Sequence, residues 1–502
     1  MSILLHIDHR SKTPVFKQIT GRVIELIDSE VLTPGEKLPA SRTLADQLGV
    51  NRSTVYKAYQ ELWALGYIES TPGSYSTVRS RAKLVTDEDS CEPPLIDWHR
   101  QCRTVQADMG DVYRKETDLA AKLYARAQTC GATPAVIDFT PLVPDERYFP
   151  VDEYRKCVAE VYTQRGRNLL GYGDPQGYEP LREYIAERLQ LHGVHSSTRE
   201  IMITTGAQSA LSLIFTAYTS PGEKVVVESP TYSRAIGLAK LHGVELLPIE
   251  MQDDGMDLEQ LKQVVAAESP SLIYTIPNFH NPTGITSSQS HREALLRIAE
   301  SYKVPIVEDG FEEEMKYFGK AVLPIKSMDR RGIVLYVGTF SKVLFPGVRI
   351  GWIAGDETAL EQLTALQKFS QLSGSSIDQA ALNLYCRRGH YENHIKRMHR
   401  IYRTRMLVAL QSLDEFLTGT AVAWTRPAGG YTLWLHMSGG SFEEEEILHN
   451  IAAQGVLVSP GRFHYSNGSQ GVAFRISIGA VEEAQIKEGI RRVAGALTSV
   501  PA

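Results

Sequence analysis

The chain has 502 residues, 43% of them hydrophobic and 22% charged, which is too long for one core and suggests two or three folding units. Its 53 Lys and Arg against 59 Asp and Glu leave a formal net charge of −6, so bulk charge repels nucleic acid and any such contact needs a local patch. No apolar run reaches the ~18 residues of a membrane span and no charged-then-apolar leader opens the chain, while five scattered cysteines (Cys91, Cys102, Cys130, Cys157, Cys386) lack metal-ligand spacing and read as reduced thiols in a cytoplasm.

The first predicted element starts at Pro14 and places Val15, Ile19, Val23, Ile24 and Ile27 on one helical face. Pro34-Gly35 and Pro39 break that period. Ser41 is expected to cap a short helix that turns Leu44, Ala45 and Leu48 inward; Gly49 ends it, and Asn51 or Ser53 caps the next. That third helix is expected to bury Val55, Ala58, Tyr59 and Leu62, leaving the residues between them free. Gly66 stops it, and residues 67–70 and 75–78 make a two-stranded wing about a Thr-Pro-Gly-Ser turn.

A helix of this kind fits the major groove, with Arg42 and Arg52 matched to guanine O6 and N7. Ser41, Ser53, Thr54, Lys57 and wing residue Gly73 complete the candidate DNA face, their hydroxyls, ammonium and backbone N–H suited to phosphates. Residues 1–79 hold nine Lys and Arg against eight Asp and Glu, so charge alone does not distinguish this from a solvated helical domain. Placement does, because Glu25, Asp28 and Glu30 fall on the first helix. The runs Pro34-Gly35-Glu36-Lys37-Leu38-Pro39-Ala40-Ser41-Arg42, Leu48-Gly49-Val50-Asn51-Arg52-Ser53-Thr54-Val55 and Leu65-Gly66-Tyr67-Ile68 closely resemble the winged-helix domain of the GntR regulators. Tyr75 departs from that pattern, standing where the family usually has a second glycine.

Residues 81–135 form a bridge. Its first part, with Thr86-Asp87-Glu88-Asp89-Ser90, reads as solvated linker; residues 96–128 carry enough spaced apolar side chains for one or two amphipathic helices whose function is not legible. From residue 136 to 502, strand-like runs such as Ile201-Met202-Ile203-Thr204 and Lys224-Val225-Val226-Val227-Glu228 alternate with helical ones, the pattern of an α/β domain with a mostly parallel sheet. Ligands in such folds collect at the carboxyl ends of strands, where the chemically interesting residues fall.

Thr204-Thr205-Gly206-Ala207-Gln208-Ser209 leaves a strand and opens a helix whose first N–H groups suit a phosphate. Asp309, one residue past a strand ending at Glu308, is placed for a pyridinium nitrogen; Asn281 can bond a phenolic oxygen, and Tyr232 can stack on a ring. Gly338-Thr339-Phe340-Ser341-Lys342 followed by Arg349 supplies an amine for a Schiff base, hydroxyls for a phosphate and an arginine to neutralise it. Singly, each has a dull explanation as a turn, a cap or a surface charge.

This order and spacing resembles the fold-type I, pyridoxal phosphate-dependent, class I aminotransferases over residues 136–500. The resemblance makes Lys342 the Schiff-base lysine and Asp309 the pyridinium partner. It puts Asn281 at the phenolic oxygen, Tyr232 against the ring, and Gly206, Ala207, Gln208, Thr339, Ser341 and Arg349 in the phosphate cup. Tyr172 is then the tyrosine that reaches across a dimer to the neighbour's phosphate, Arg475 the grip on a substrate carboxylate, and Arg234 a second effector arginine. Phe311 stands where the family usually has tyrosine, which removes a hydrogen bond to the cofactor and puts efficient transamination in doubt. A GntR-like head on such a body is the arrangement of the MocR/GabR transcription regulators. That resemblance implies pyridoxal 5'-phosphate, double-stranded operator DNA, a small amino-compound effector and a head-to-tail homodimer. The other reading is an active aminotransferase that happens to carry a DNA-binding head.

Overall fold

The computed structural model describes residues 5–8, 10–70, 75–80, 95–102, 104–131, 136–437, 443–468 and 471–498. It divides into two compact units, residues 1–98 and 99–502.

In the first unit, α1 (Val15–Asp28) begins after Pro14, whose fixed φ suits a helix start, and buries Ile19, Thr20 and Val23. Helix α2 (Ser41–Leu48) differs from expectation at its start: Ala40 is the N-cap, Ser41 is the first helical residue, and no side chain caps the helix. The Tyr59 hydroxyl donates to the Pro39 carbonyl at 2.8 Å and pins the preceding loop, so helical geometry begins at Ser41. Gly49, at φ +64°, closes α2 in the left-handed region that glycine tolerates without strain. In α3 (Arg52–Ala64), Asn51 caps by accepting from the Ser53 N–H, and Val55, Ala58, Tyr59 and Leu62 are buried. The wing pairs β1 (Ile68–Ser70) antiparallel to β2 (Ser76–Val78), with Ile68 opposite Val78. Its tip, with Gly73, and most of the segment read as solvated linker lie outside the described residues.

The second unit includes α4 (Trp98–Gln101) from its second residue onward, and then α5 (Thr104–Gln128). Helix α5 is part of this unit rather than of a separate bridge running to residue 135, because Leu119, Leu123 and Ala127 are buried in one apolar cluster with Phe139, Leu448 and Ile451. Strand β3 (Ile137–Asp138) comes next, then α6 (Val151–Leu169) and α7 (Glu179–Gln190).

The main sheet is built from β4 (Ile201–Thr204), β5 (Lys224–Ser229), β6 (Glu245–Gln252), β7 (Gly255–Met256), β8 (Leu272–Thr275), β9 (Ile306–Asp309), β10 (Val334–Thr339) and β11 (Gly351–Ala354). Their order is β4-β11-β10-β9-β8-β5-β6-β7. The run from β10 to β6 is parallel; β11 is antiparallel to both neighbours and β7 to β6. Strands β4, β8, β9 and β10 are buried along their whole length, which their continuous apolar stretches require. A smaller antiparallel sheet has the order β12-β13-β16-β15, from β12 (Val422–Trp424), β13 (Thr432–Met437), β15 (Ser459–Pro460) and β16 (Ala473–Ser477), while β14 (Val456–Leu457) pairs with β3. Helix α8 (Ala207–Tyr218) leaves the end of β4, and α9 (Ser233–His242) leaves the loop after β5. Among the described residues no helix is long and apolar enough to cross a membrane.

Candidate functional site

The parallel strands deliver the predicted residues to one end of the sheet. Asp309 is the last residue of β9, inside the strand rather than one past it, and lies beside Val337 of β10. The Tyr274 hydroxyl, from the neighbouring β8, donates to Asp309 Oδ2 at 2.9 Å. Its other oxygen, Oδ1, is buried without a hydrogen-bond partner among the described residues. Burial raises the Asp309 carboxyl to about 6, against the downward pull of the Tyr274 bond, the Phe311 backbone N–H and the Lys342 charge.

Lys342 is half-buried in the turn after β10. Its Nζ donates to the Leu142 carbonyl at 2.6 Å, and the Tyr431 hydroxyl donates to the lysine's own carbonyl at 2.8 Å. Burial lowers its pKa, helped by the Arg475 and Arg349 charges and opposed by Glu312 and Asp309. An amine so shifted holds a larger neutral, nucleophilic fraction at neutral pH than a surface lysine.

Glycine is required at the mouth of α8. Gly206 caps the helix at φ +101°, and a Cβ there would fall 2.8 Å from Arg349 Nη2. Ala207 and Gln208 therefore open the helix with N–H groups free of an intrahelical partner, the usual place for an anion. Arg349 Nη2 donates to the Thr205 carbonyl at 2.8 Å, which fixes the guanidinium beside that turn. Thr339 Oγ1 donates to the Ile350 carbonyl and accepts from the Ser341 N–H, whereas Ser341 Oγ is buried and unpartnered among the described residues.

Tyr232 caps α9, and its hydroxyl donates to Gln208 Oε1 at 3.3 Å, linking the α8 and α9 turns. Asn281 Oδ1 accepts from Arg475 Nη1 at 3.0 Å, and Arg475 Nη2 donates to the Thr140 carbonyl at 2.8 Å. Arg475 Nε is buried with no partner among the described residues, and burial brings the guanidinium down to about 10. Lys342, Asn281, Tyr232, Arg234 and Arg475 line one cavity of about 770 Å³ whose opposite wall is α5. Asp309 and the α8 turn lie outside that lining. Tyr172 is 86% exposed and does not line the cavity either.

The chemistry of this set fits pyridoxal phosphate. There is an amine with lowered pKa, a helix mouth with an arginine and an unpartnered hydroxyl for the phosphate, and a buried carboxylate oxygen with nothing of its own to bond. Several contributors are not legible in the sequence. Tyr274 reaches Asp309 only through the pairing of β8 with β9. Glu312 is fully buried, with Oε2 accepting from the Tyr431 N–H at 3.2 Å and Oε1 unpartnered among the described residues; burial pushes its carboxyl up to about 8. Phe311 packs in the main apolar cluster with Tyr336 and Phe340.

In the head, Arg42, Arg52, Ser53 and Lys57 are exposed, Ser41 and Thr54 partly so. Two are engaged. Ser53 Oγ donates to Asn51 Oδ1 at 2.9 Å, and Lys57 Nζ stands 4.1 Å from the centre of the Phe16 ring on α1. Tyr75 carries Lys37 over its ring at 5.5 Å, a use for the aromatic side chain at the wing.

Residues 142–493 match the family described as aminotransferase class I and II, and residues 16–78 the bacterial regulatory proteins of the gntR family. The chain is 33% identical to aromatic-amino-acid aminotransferase 1 of Thermococcus litoralis over 72% of its own length and 88% of that protein's. It is 30% identical to the HTH-type transcriptional regulator TauR of Rhodobacter capsulatus over 95% of both chains. The crystal structure of the multiple substrate aminotransferase of Thermococcus profundus superposes with a TM-score of 0.74 at 30% identity, covering 80% of this chain and 99% of that one. The resemblance to the aminotransferase stops where the head begins, and the resemblance to the regulator runs through both units. The chain therefore belongs to the class I and II aminotransferase family in its GntR-headed form, and is a MocR-type transcriptional regulator.

Proposed function

We propose that the body binds pyridoxal 5'-phosphate at Lys342 and that the state of this site sets the affinity of the head for operator DNA. The observation that carries the reading is the convergence of Lys342, Asn281, Tyr232 and Arg475 on one cavity, with Asp309 behind it. Pyridoxal phosphate supplies an electrophilic carbon for amines and a ring that takes up electron density. Lys342 would be the amine that holds it, with Asp309 serving the ring nitrogen and Asn281 the phenolic oxygen. Tyr232 would support the ring, while Gly206, Ala207, Gln208, Thr339, Ser341 and Arg349 would bind the phosphate. Arg475 would take the carboxylate of an amino compound, its fork matched to two oxygens.

Phe311 favours sensing over turnover, because no hydroxyl at that position can adjust the protonation of the cofactor. Arg42 and Arg52 read bases, with Ser41, Ser53, Thr54, Lys57 and the Gly73 backbone at phosphates. Tyr172, exposed on one chain, is suited to complete the phosphate site of a second chain in a head-to-tail dimer. The protein acts in the cytoplasm, on the promoter that carries its operator. An effector changes DNA affinity only if it favours one arrangement of the dimer over another. The test is an operator titration with and without pyridoxal phosphate and a panel of amines, repeated with Lys342→Ala. Operator affinity is expected to respond in the parent and not in the variant; equal affinity under every condition sinks the reading.

A further inference from the structure

The cavity beside Lys342 has one unexpected wall. Tyr113, Glu116, Thr117, Ala120 and Tyr124 of α5 face it, opposite Arg475 and Lys342. The helix is held there by Leu119 and Leu123, which are buried in the core of the smaller sheet and its helices. The stretch of α5 from Tyr113 to Tyr124 therefore bounds the space open to a ligand.

Glu116 is the only acidic side chain that α5 gives to the described lining, and it pairs with Arg234 across the opening, Oε2 lying 3.9 Å from Nη1. Arg234 is the more exposed partner, at 63% against 29% for Glu116. The cavity thus offers a carboxylate two cations besides Lys342, and they are unequal. Arg475 is buried and keeps Nε without a partner among the described residues. Arg234 already faces a carboxylate. A second acid, Asp138, also lines the cavity. Its Oδ1 accepts from the N–H and the hydroxyl of Thr140, which keeps the carboxylate in place. His464 adds no charge, since burial and the Arg475 guanidinium push its pKa to about 3. Once a ligand has placed its amine at Lys342 and one carboxylate on Arg475, the remaining charged groups of the lining are one cation and two carboxylates.

We infer that Glu116 is a specificity-determining residue, and that it restricts this site to amino compounds with a single carboxylate. A second carboxylate has to displace Glu116 from Arg234 and then share a lining that also holds Asp138. An alkyl or aryl chain finds Tyr113, Ala120, Tyr124 and Phe463 in the lining to pack on and displaces no ion pair. This rests on the reading of the cavity as an amino-compound site, and adds to it which amino compounds are accepted.

The test uses the full-length protein loaded with pyridoxal phosphate and two ligands with the same six-carbon skeleton, L-norleucine and L-2-aminoadipate. Binding is followed by calorimetry and by cofactor absorbance, with operator affinity measured in parallel. Norleucine is expected to bind the tighter, with aminoadipate weaker by about ten-fold or more, the scale of a like-charge mismatch at a partly exposed site. Glu116→Gln, which keeps the shape and removes the charge, is expected to recover most of that gap. Arg234→Gln, which leaves Glu116 uncompensated, is expected to widen it. Thermal unfolding of both variants checks that α5 remains folded. Equal or tighter binding of aminoadipate by the parent overturns the inference. So does an unchanged norleucine-to-aminoadipate ratio in Glu116→Gln, or failure of both ligands to bind. If the preference holds while operator affinity ignores every ligand, the specificity stands and the sensor reading fails instead.

Discussion

The proposed DNA face of the head and the proposed cofactor pocket of the body are built on opposite terms. On the head, Arg42, Arg52 and Ser53 stand in solvent within 12 residues of sequence, and the buried side chains behind them are ordinary core. In the body, Asp309, Lys342 and Arg475 come from three distant stretches, lie wholly or partly buried, and each has its pKa displaced by burial. A face that meets a partner only on binding keeps its hydration until then and costs the free protein little. A pocket arranged in advance for a charged cofactor carries that desolvation cost in the folded chain at all times. Substitutions in the two regions are therefore expected to diverge, with head variants changing binding alone and pocket variants changing binding and stability in opposite directions.

The largest effect that separates them is at Lys342. Lys342→Ala is expected to abolish covalent retention of pyridoxal phosphate, read as the loss of cofactor absorbance after gel filtration. The cofactor-free variant should unfold no earlier than the cofactor-free parent, because a poorly hydrated amine has been removed. Retained absorbance in the variant would mean that another group holds the cofactor. Arg52→Ala should come next, lowering operator affinity by about 1–3 kcal/mol and relaxing specificity at one base pair. Its thermal midpoint should match the parent's. A matching loss of stability would put Arg52 in the structural core of the head and end the contrast.

Asp309→Asn sharpens the pocket side through its pH dependence. The folded carboxyl sits at about 6 against an ordinary 3.8, raised by burial. The folded state therefore binds that proton more tightly than the unfolded chain does. The stability this contributes is fully present below the free value and lost as pH rises through about 6. Near pH 8 the cofactor-free parent carries a desolvated carboxylate that the amide variant lacks, so the variant should be the more stable by about 1–3 kcal/mol. The difference should shrink toward zero near pH 4, read as urea midpoints at both values. Cofactor retention should weaken in the same variant, giving the opposed signs expected of a pocket residue. A parent as stable as the variant near pH 8 would show that burial at Asp309 is relieved by something else.

The same contrast governs what could be read from the chain alone. The helices of the head were legible almost to the residue, because they have a clear period of buried side chains, with Gly49 and Gly66 as punctuation. In the body, the strands and the Lys342 and α8 turns were legible as apolar runs that end in small residues. Tyr274 was not, since its role depends on β8 pairing with β9, and nothing local in Leu272-Ile273-Tyr274-Thr275 marks a hydroxyl aimed at a neighbour's carboxylate. Glu312 reads as one acid in a run of three, the usual sign of a solvated face, yet it is buried against the Tyr431 N–H. The packing of α5 escaped for a related reason. Its apolar positions fit any amphipathic helix, and only the tertiary fold reveals which surface they cover.

The smallest effect lies at the start of α2, where expectation and structure differ by one residue. A serine acting as N-cap stabilises a helix by about 1 kcal/mol, and its loss to alanine would lower the head's stability by that amount. Ser41 is instead the first residue of α2 and its side chain makes no capping bond, whereas Asn51 does cap α3. Asn51→Ala is thus expected to cost about 1 kcal/mol in unfolding free energy, and Ser41→Ala less than about 0.5 kcal/mol. If Ser41→Ala nevertheless weakens operator binding while leaving the unfolding midpoint in place, its hydroxyl is at a phosphate rather than at a helix end. If the two variants are equally destabilised, α2 begins at Ser41 as a cap after all, and the loop held by the Tyr59–Pro39 hydrogen bond is less fixed than its geometry implies.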